Sequence, residues 1–143
     1  MKRVLVLLFM LSLVFSMVGC HNQQSARRDI FALVEKNYET IVAACENKDV
    51  DTLYAIDGID QVDIIDGYVL IFCESYGIAP SSQDYGFYYS EENQPVAVFD
   101  GHILCDTIEL IEEGKGYQYT DSGNNVFYTE HMKGNLYFYS ASF

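Results

Sequence analysis

The sequence predicts an α+β domain: an N-terminal helix and a short second helix packed on a curved antiparallel sheet of hairpins and a C-terminal meander. Three observations carry this reading. Downstream of an apolar N-terminal run, apolar residues recur at helical spacing between Asp29 and Ile56. After Gly58, short strand-like runs alternate with Asp-Gly, Lys-Gly and Asn-containing turns. Helices first and strands afterwards, without β-α alternation, is the pattern of segregated layers rather than of a parallel sheet.

The first helix is predicted from Asp29 to Asn47, where Ile30, Val34, Tyr38, Ile41 and Cys45 form a stripe widened by Phe31, Leu33 and Val42. A stripe of that width lies on a core. Ser25 or Asp29 caps its start. Asp49 caps a short second helix, and Asp57-Gly58 stops it. Residues 61–65 and 68–73 read as a hairpin around Asp66-Gly67, a pair suited to the positive φ of a type I′ turn. Residues 84–90 and 95–99 read as a second hairpin joined by Glu91-Glu92-Asn93-Gln94. Asp100-Gly101 turns 96–99 back into 102–105. Residues 116–120, 126–132 and 135–141 complete the meander, and 75–83 read as a long loop. With 143 residues and no linker or repeat, a single domain is expected.

The N-terminus reads as an address. Lys2-Arg3 precedes Val4–Val18, a run interrupted only by Ser12 and Ser16. It is short for a membrane span and right for a secretory core. It ends in Met17-Val18-Gly19-Cys20, which resembles the lipobox of bacterial lipoproteins, with Met17 where the family usually has Leu. The resemblance implies that residues 1–19 are a signal peptide and that Cys20 carries the lipid. Residues 20–28 would then be anchor and polar tether, and 29–143 the folded domain. Beyond the lipobox, Asn47–Ile56 after a longer helix is similar to the opening of cystatin-like and nuclear-transport-factor-like rolls. Asp84–Gly101 and Asn124–Phe143 look like hairpin and meander segments of small uncharacterised lipoproteins of Firmicutes, particularly Clostridia. That likeness implies location and fold type and carries no activity.

Composition excludes several classes. Half the chain is apolar and 15% is aromatic, with 12 Tyr and 9 Phe, so this is no disordered acidic tail. A net charge of −13 disfavours nucleic acid, which needs a basic footprint. Loss of Lys2 and Arg3 with a signal peptide makes the body more acidic still, and like charge would hold it off an anionic membrane. Arg27-Arg28 reads as a solvated helix start near the lipid.

Catalytic chemistry is sparse. Asp57, Asp60, Asp63 and Asp66 recur at every third position, a spacing that alternates faces in a strand and does not converge as calcium requires. Asp57 and Asp66 are turn residues on this reading. With Cys20 lipidated, Cys45, Cys73 and Cys105 remain, without a C-x-x-C motif, and read as buried thiols. His102 and His131 have no metal-binding partner at motif spacing, and no cofactor is implied. Glu109, Glu112 and Glu113 read as a solvated loop.

The informative excess is aromatic. Parity places Leu136 and Phe138 on one face of the last strand and Tyr137 and Tyr139 on the other; Phe87 and Tyr89 oppose Tyr88. Paired core rings are one outcome. The other is a solvent-facing platform in which Tyr137 and Tyr139, with Tyr89, Phe87 or Phe127 nearby, bind an extracellular protein, peptide or glycan. The functional expectation is therefore a lipid-anchored, non-catalytic cell-surface binding protein, facing outside the cytoplasm. The alternative is a small cell-envelope hydrolase using Cys73, Cys105 or a carboxylate.

Overall fold

The computed structural model describes residues 2–78, 81–105 and 110–143, with side chains for residues 24–78, 81–104 and 110–143. Helix α1 spans Lys2–Asn47 and α2 spans Val50–Tyr54. Strands follow at Gln61–Ile65 (β1), Tyr68–Tyr76 (β2), Gln83–Ser90 (β3), Ala97–Phe99 (β4), His102–Cys105 (β5), Ile111–Glu113 (β6), Gly116–Thr120 (β7), Val126–Lys133 (β8) and Leu136–Ser142 (β9). The main sheet is antiparallel, in the order β1-β2-β3-β9-β8-β7-β6, and β4-β5 form a separate hairpin. This is the expected α+β architecture, with an open sheet.

Helix α1 begins well before the predicted Asp29. Nothing between His21 and Asn47 is Gly or Pro, so no residue interrupts the helix after the tether positions. Ala26 is fully buried in the core, so packing starts inside the segment read as a tether. The helix kinks at Asn37 (φ −115°, ψ 16°), whose side-chain Nδ2 donates to the Leu33 carbonyl at 2.9 Å. Such a local side-chain bond competes with the helical ladder and bends it. The side chains of residues 1–23, Cys20 and the expected signal peptide among them, and the side chain of Cys105 lie outside the described ones. Among the described residues no helix is long and apolar enough to cross a membrane.

The predicted stripe docks as expected: Ile30, Val34, Ile41 and Cys45 are buried against Val69, Ile71, Phe87, Tyr89, Leu136 and Phe138 of the sheet. Asp49 caps α2, accepting from the Thr52 backbone N–H at 3.2 Å and the Thr52 hydroxyl at 2.6 Å. Hydrogen bonds from Thr52 hold the Asp49 carboxyl below its usual range.

Arg27 is not simply solvated. Its Nε and Nη2 donate to Oε2 and Oε1 of Glu130 at 2.9 and 2.7 Å, and its guanidinium lies 4.3 Å from the Phe31 ring centre. Glu130 faces the helix from β8 and is only 6% exposed, so the fork of Arg27 supplies the charge its burial requires. Arg27→Ala should cost about 1–3 kcal/mol, below a fully buried pair because Arg27 is partly solvated. Adding Glu130→Gln should restore part of that loss in urea unfolding. A loss that the second substitution deepens would mean that the pair is not the source.

Three readings of the strand region need correction. Residues 84–90 and 95–99 do not pair with each other: β3 lies between β2 and β9, whereas β4 crosses to another layer and pairs with β5. The ladder ends at Ser90, and beyond it Asn93, at φ +54°, and Pro95, which offers no N–H, keep the chain out of it. The loop expected at 75–83 is also shorter, because Ser75 and Tyr76 pair with Asp84 and Gln83. Cys73 is the unpaired residue of a bulge between Phe72 and Glu74. Ile111–Glu113, read as part of a loop, forms an exposed edge strand against β7.

Candidate functional site

The face opposite α1 is not open. Val96, which leads into β4, and Val98 of β4, with Ile103 of β5 beside them, pack on Leu70, Tyr88, Tyr137 and Tyr139. Ala97 and Phe99 pack with Phe127, Ala141 and Phe143. Tyr137 and Tyr139 are 5% and 6% exposed, and Tyr89, Phe87 and Phe127 are equally withdrawn from solvent. The expected aromatic platform is therefore overturned for all of them. Phe87 and Tyr89 also lie on the helix side, away from Tyr137 and Tyr139. The parity was right, but the hairpin occupies the face left for a partner.

Two of the three tyrosines beneath the hairpin fasten it. Tyr88 stacks on Tyr137, with ring centres 5.3 Å apart and planes 7° from parallel. The Tyr88 hydroxyl accepts from the Val96 backbone N–H at 2.9 Å and sits 2.7 Å from Thr129 Oγ1. The Tyr137 hydroxyl donates toward the carbonyl and side-chain oxygens of Asn93, at 2.9 and 3.0 Å. Buried hydroxyls with such partners are structural.

Tyr139 differs. Its ring crosses Gly86 of β3, where any Cβ would come within 2.7 Å of it, so glycine there makes room for the ring. Its hydroxyl makes no hydrogen bond among the described residues, yet the oxygen is not sealed from solvent. Tyr139 lines a cleft of about 140 Å³ between the sheet and the turn from β4 to β5. Asp63 of β1, Asp84 of β3 and Asp100 of the turn line it too, with Phe72 and Phe99. Burial, then the nearby Cys73, Asp84 and Asp63, push the Tyr139 phenol upward.

Each carboxylate has a defined place. Asp63 Oδ2 accepts from Gln61 Nε2 at 2.8 Å, and Asp84 Oδ1 accepts from the Ser75 hydroxyl at 2.7 Å. Asp100 and Gly101 both have positive φ, as a type I′ turn requires. A Cβ on Gly101 would meet Asp63 Oδ2 at 2.9 Å, so glycine lets the turn close over that carboxylate. Among the described residues no basic side chain lines the cleft.

The other sequence candidates do not assemble. Among the described residues no group of three or more His, Cys, Asp or Glu side chains can hold a metal ion. Cys45 and Cys73 are free thiols, and burial pushes each up to about 12, far from a thiolate at neutral pH. His102 Nδ1 contacts the Asp100 carbonyl at 2.6 Å, and His131 Nε2 contacts the Gly134 carbonyl at 2.7 Å. Neither histidine is hydrogen-bonded to a cysteine among the described residues. Glu112 and Glu113 are exposed on β6, and Glu109 lies outside the described residues. Sequence reasoning passed over Asp84 and Asp100 because they reach Asp63 only through the sheet register and the folded-over hairpin. No protein-family model matches the chain, and neither a curated protein nor a solved structure matches it.

Proposed function

We propose that this chain is a lipid-anchored cell-surface protein that binds a small ligand, without catalysis, in the cleft under the β4–β5 turn. The observation that carries the binding reading is Tyr139: the residue is 6% exposed, and its hydroxyl, unbonded among the described residues and still open to solvent, belongs to a cleft rimmed by Asp63, Asp84 and Asp100. A polar group on a mostly buried ring, left to solvent at a cleft wall, suits a ligand that displaces that solvent. The lipobox-like Val18-Gly19-Cys20 after Lys2-Arg3 and Val4–Val18 supports the anchor and an outward-facing body. One acyl chain holds a protein only marginally, so firm retention calls for more than one.

Two measurements test the proposal. Metabolic fatty-acid labelling should mark the wild type and not Cys20→Ala; equal labelling of both overturns the anchor. Nuclear magnetic resonance of the full chain in detergent micelles, titrated separately with 1-butylammonium, butan-1-ol and butyrate, tests the cleft. At least one should shift Gln61, Asp63, Asp84 and Tyr139 saturably. If none does, the binding reading fails.

A further inference from the structure

We propose that the cleft recognises an organic cation: an ammonium or guanidinium group on a short aliphatic stem, received by Asp63, Asp84, Asp100 and the Tyr139 hydroxyl. This inference rests on the binding reading above and names its ligand class.

The polar groups available in the cleft favour a cationic donor. Gln61 occupies one oxygen of Asp63, and Ser75 occupies one of Asp84, which leaves each carboxylate an oxygen without a donor among the described residues. Three carboxylates, with no cationic side chain lining the cleft among the described residues, attract positive charge and repel anions. A bare metal ion fits poorly, because its ligand oxygens must converge on one point and no such group exists among the described residues. Ammonium and guanidinium groups instead carry several N–H donors that reach acceptors set apart. Tyr139, as an acceptor, can take one of them. The hydroxyls of Tyr88 and Tyr137 are committed to the hairpin, which leaves the Tyr139 hydroxyl available to the ligand.

The remaining walls suit the stem. Leu70, Phe72 and Phe99 supply apolar surface, and aromatic faces attract cations as well. A volume of about 140 Å³ is smaller than sites for drug-sized ligands and holds a side-chain-sized group. The same chemistry is offered by a free alkylamine and by a lysine or arginine side chain of a polypeptide.

The butyl panel decides the charge preference, and variants of the full chain decide the groups responsible. 1-Butylammonium should bind about tenfold or more tightly than butan-1-ol, and added salt should weaken it. Asp63→Asn and Asp84→Asn should each weaken the ammonium about tenfold while leaving butan-1-ol unchanged. Tyr139→Phe, which removes a hydroxyl that bonds no protein group among the described residues, should fold normally and weaken the ammonium by a smaller factor. Two further probes, 1,4-diaminobutane and an acetylated, amidated Ala-Lys-Ala peptide, separate the sources: the tighter of the two identifies free amine or polypeptide side chain.

Equal shifts from butan-1-ol and ammonium, or folded Asn variants that bind ammonium as the wild type does, overturn the cation assignment. If butyrate or butan-1-ol alone moves the cleft, that assignment falls and the binding reading stands. If nothing in the panel moves it, both fall.

Discussion

Truncating Tyr137 and Tyr139 together to alanine should unfold the domain or bring it close to unfolding. Each ring is buried under the β4–β5 hairpin, and removing a large buried ring costs about 3–5 kcal/mol. The pair therefore approaches the total stability of about 5–15 kcal/mol usual for a domain. Tyr137→Ala also removes the stack on Tyr88 and the bond to Asn93, loosening the crossover that places the hairpin. Urea unfolding followed by circular dichroism would measure the loss, with Tyr139→Phe as the control that keeps the ring. A folded double variant with the wild-type midpoint would mean that the hairpin does not cover this face. The same result would return these tyrosines to the role of an exposed platform.

The sequence made the helix face legible because a single physical rule governs it. Ile30, Val34, Ile41 and Cys45 repeat at helical period, and one buried stripe needs one partner surface. The Asp66-Gly67 and Asp100-Gly101 turns were equally plain in position. Only the second has the positive φ at both residues that a type I′ turn requires. At the first only Gly67 does, so the type I′ expectation fails there. The second layer was harder. Val96-Ala97-Val98-Phe99 is an uninterrupted apolar run between Pro95 and Asp100, which is what a strand buried on both sides looks like. Reading it as the partner of 84–90 left Tyr137 and Tyr139 apparently uncovered. Local pattern gives a strand its two faces but not the layer to which it crosses.

The cleft was less legible still, for a related reason. Asp63 was visible only as one of four regularly spaced aspartates, two of them read as turn residues. Its structural neighbours come from elsewhere: Asp84 from β3 and Asp100 from the hairpin turn. Gly86 and Gly101, which make room for the Tyr139 ring and the Asp63 carboxylate, look in the sequence like an interrupted strand and an ordinary turn. Only pairing register and layer order bring these residues together.

Ile41→Asp should also cost several kcal/mol, and its pH dependence should identify the cause. Ile41 is fully buried in the helix stripe, so aspartate there is an unpaired carboxylate in an apolar setting. Glu130 shows what burial of a carboxylate on this side of the sheet requires: a forked guanidinium within hydrogen-bond distance. Ile41 has no such partner among the residues of its cluster. Desolvation would raise the folded-state pKa of the new aspartate above its unfolded value of about 3.9. The variant should then be most stable below that value, where both states are protonated. It should lose stability as pH rises towards the folded-state pKa, because the unfolded chain ionises first. Thr40→Asp, one position away and exposed, should stay within about 0.5 kcal/mol of the wild type. Urea midpoints at acidic and neutral pH test both variants. An unchanged midpoint for Ile41→Asp would show that the helix is not docked on the sheet. An equal loss at both pH values would place the cost in lost packing rather than in the buried charge.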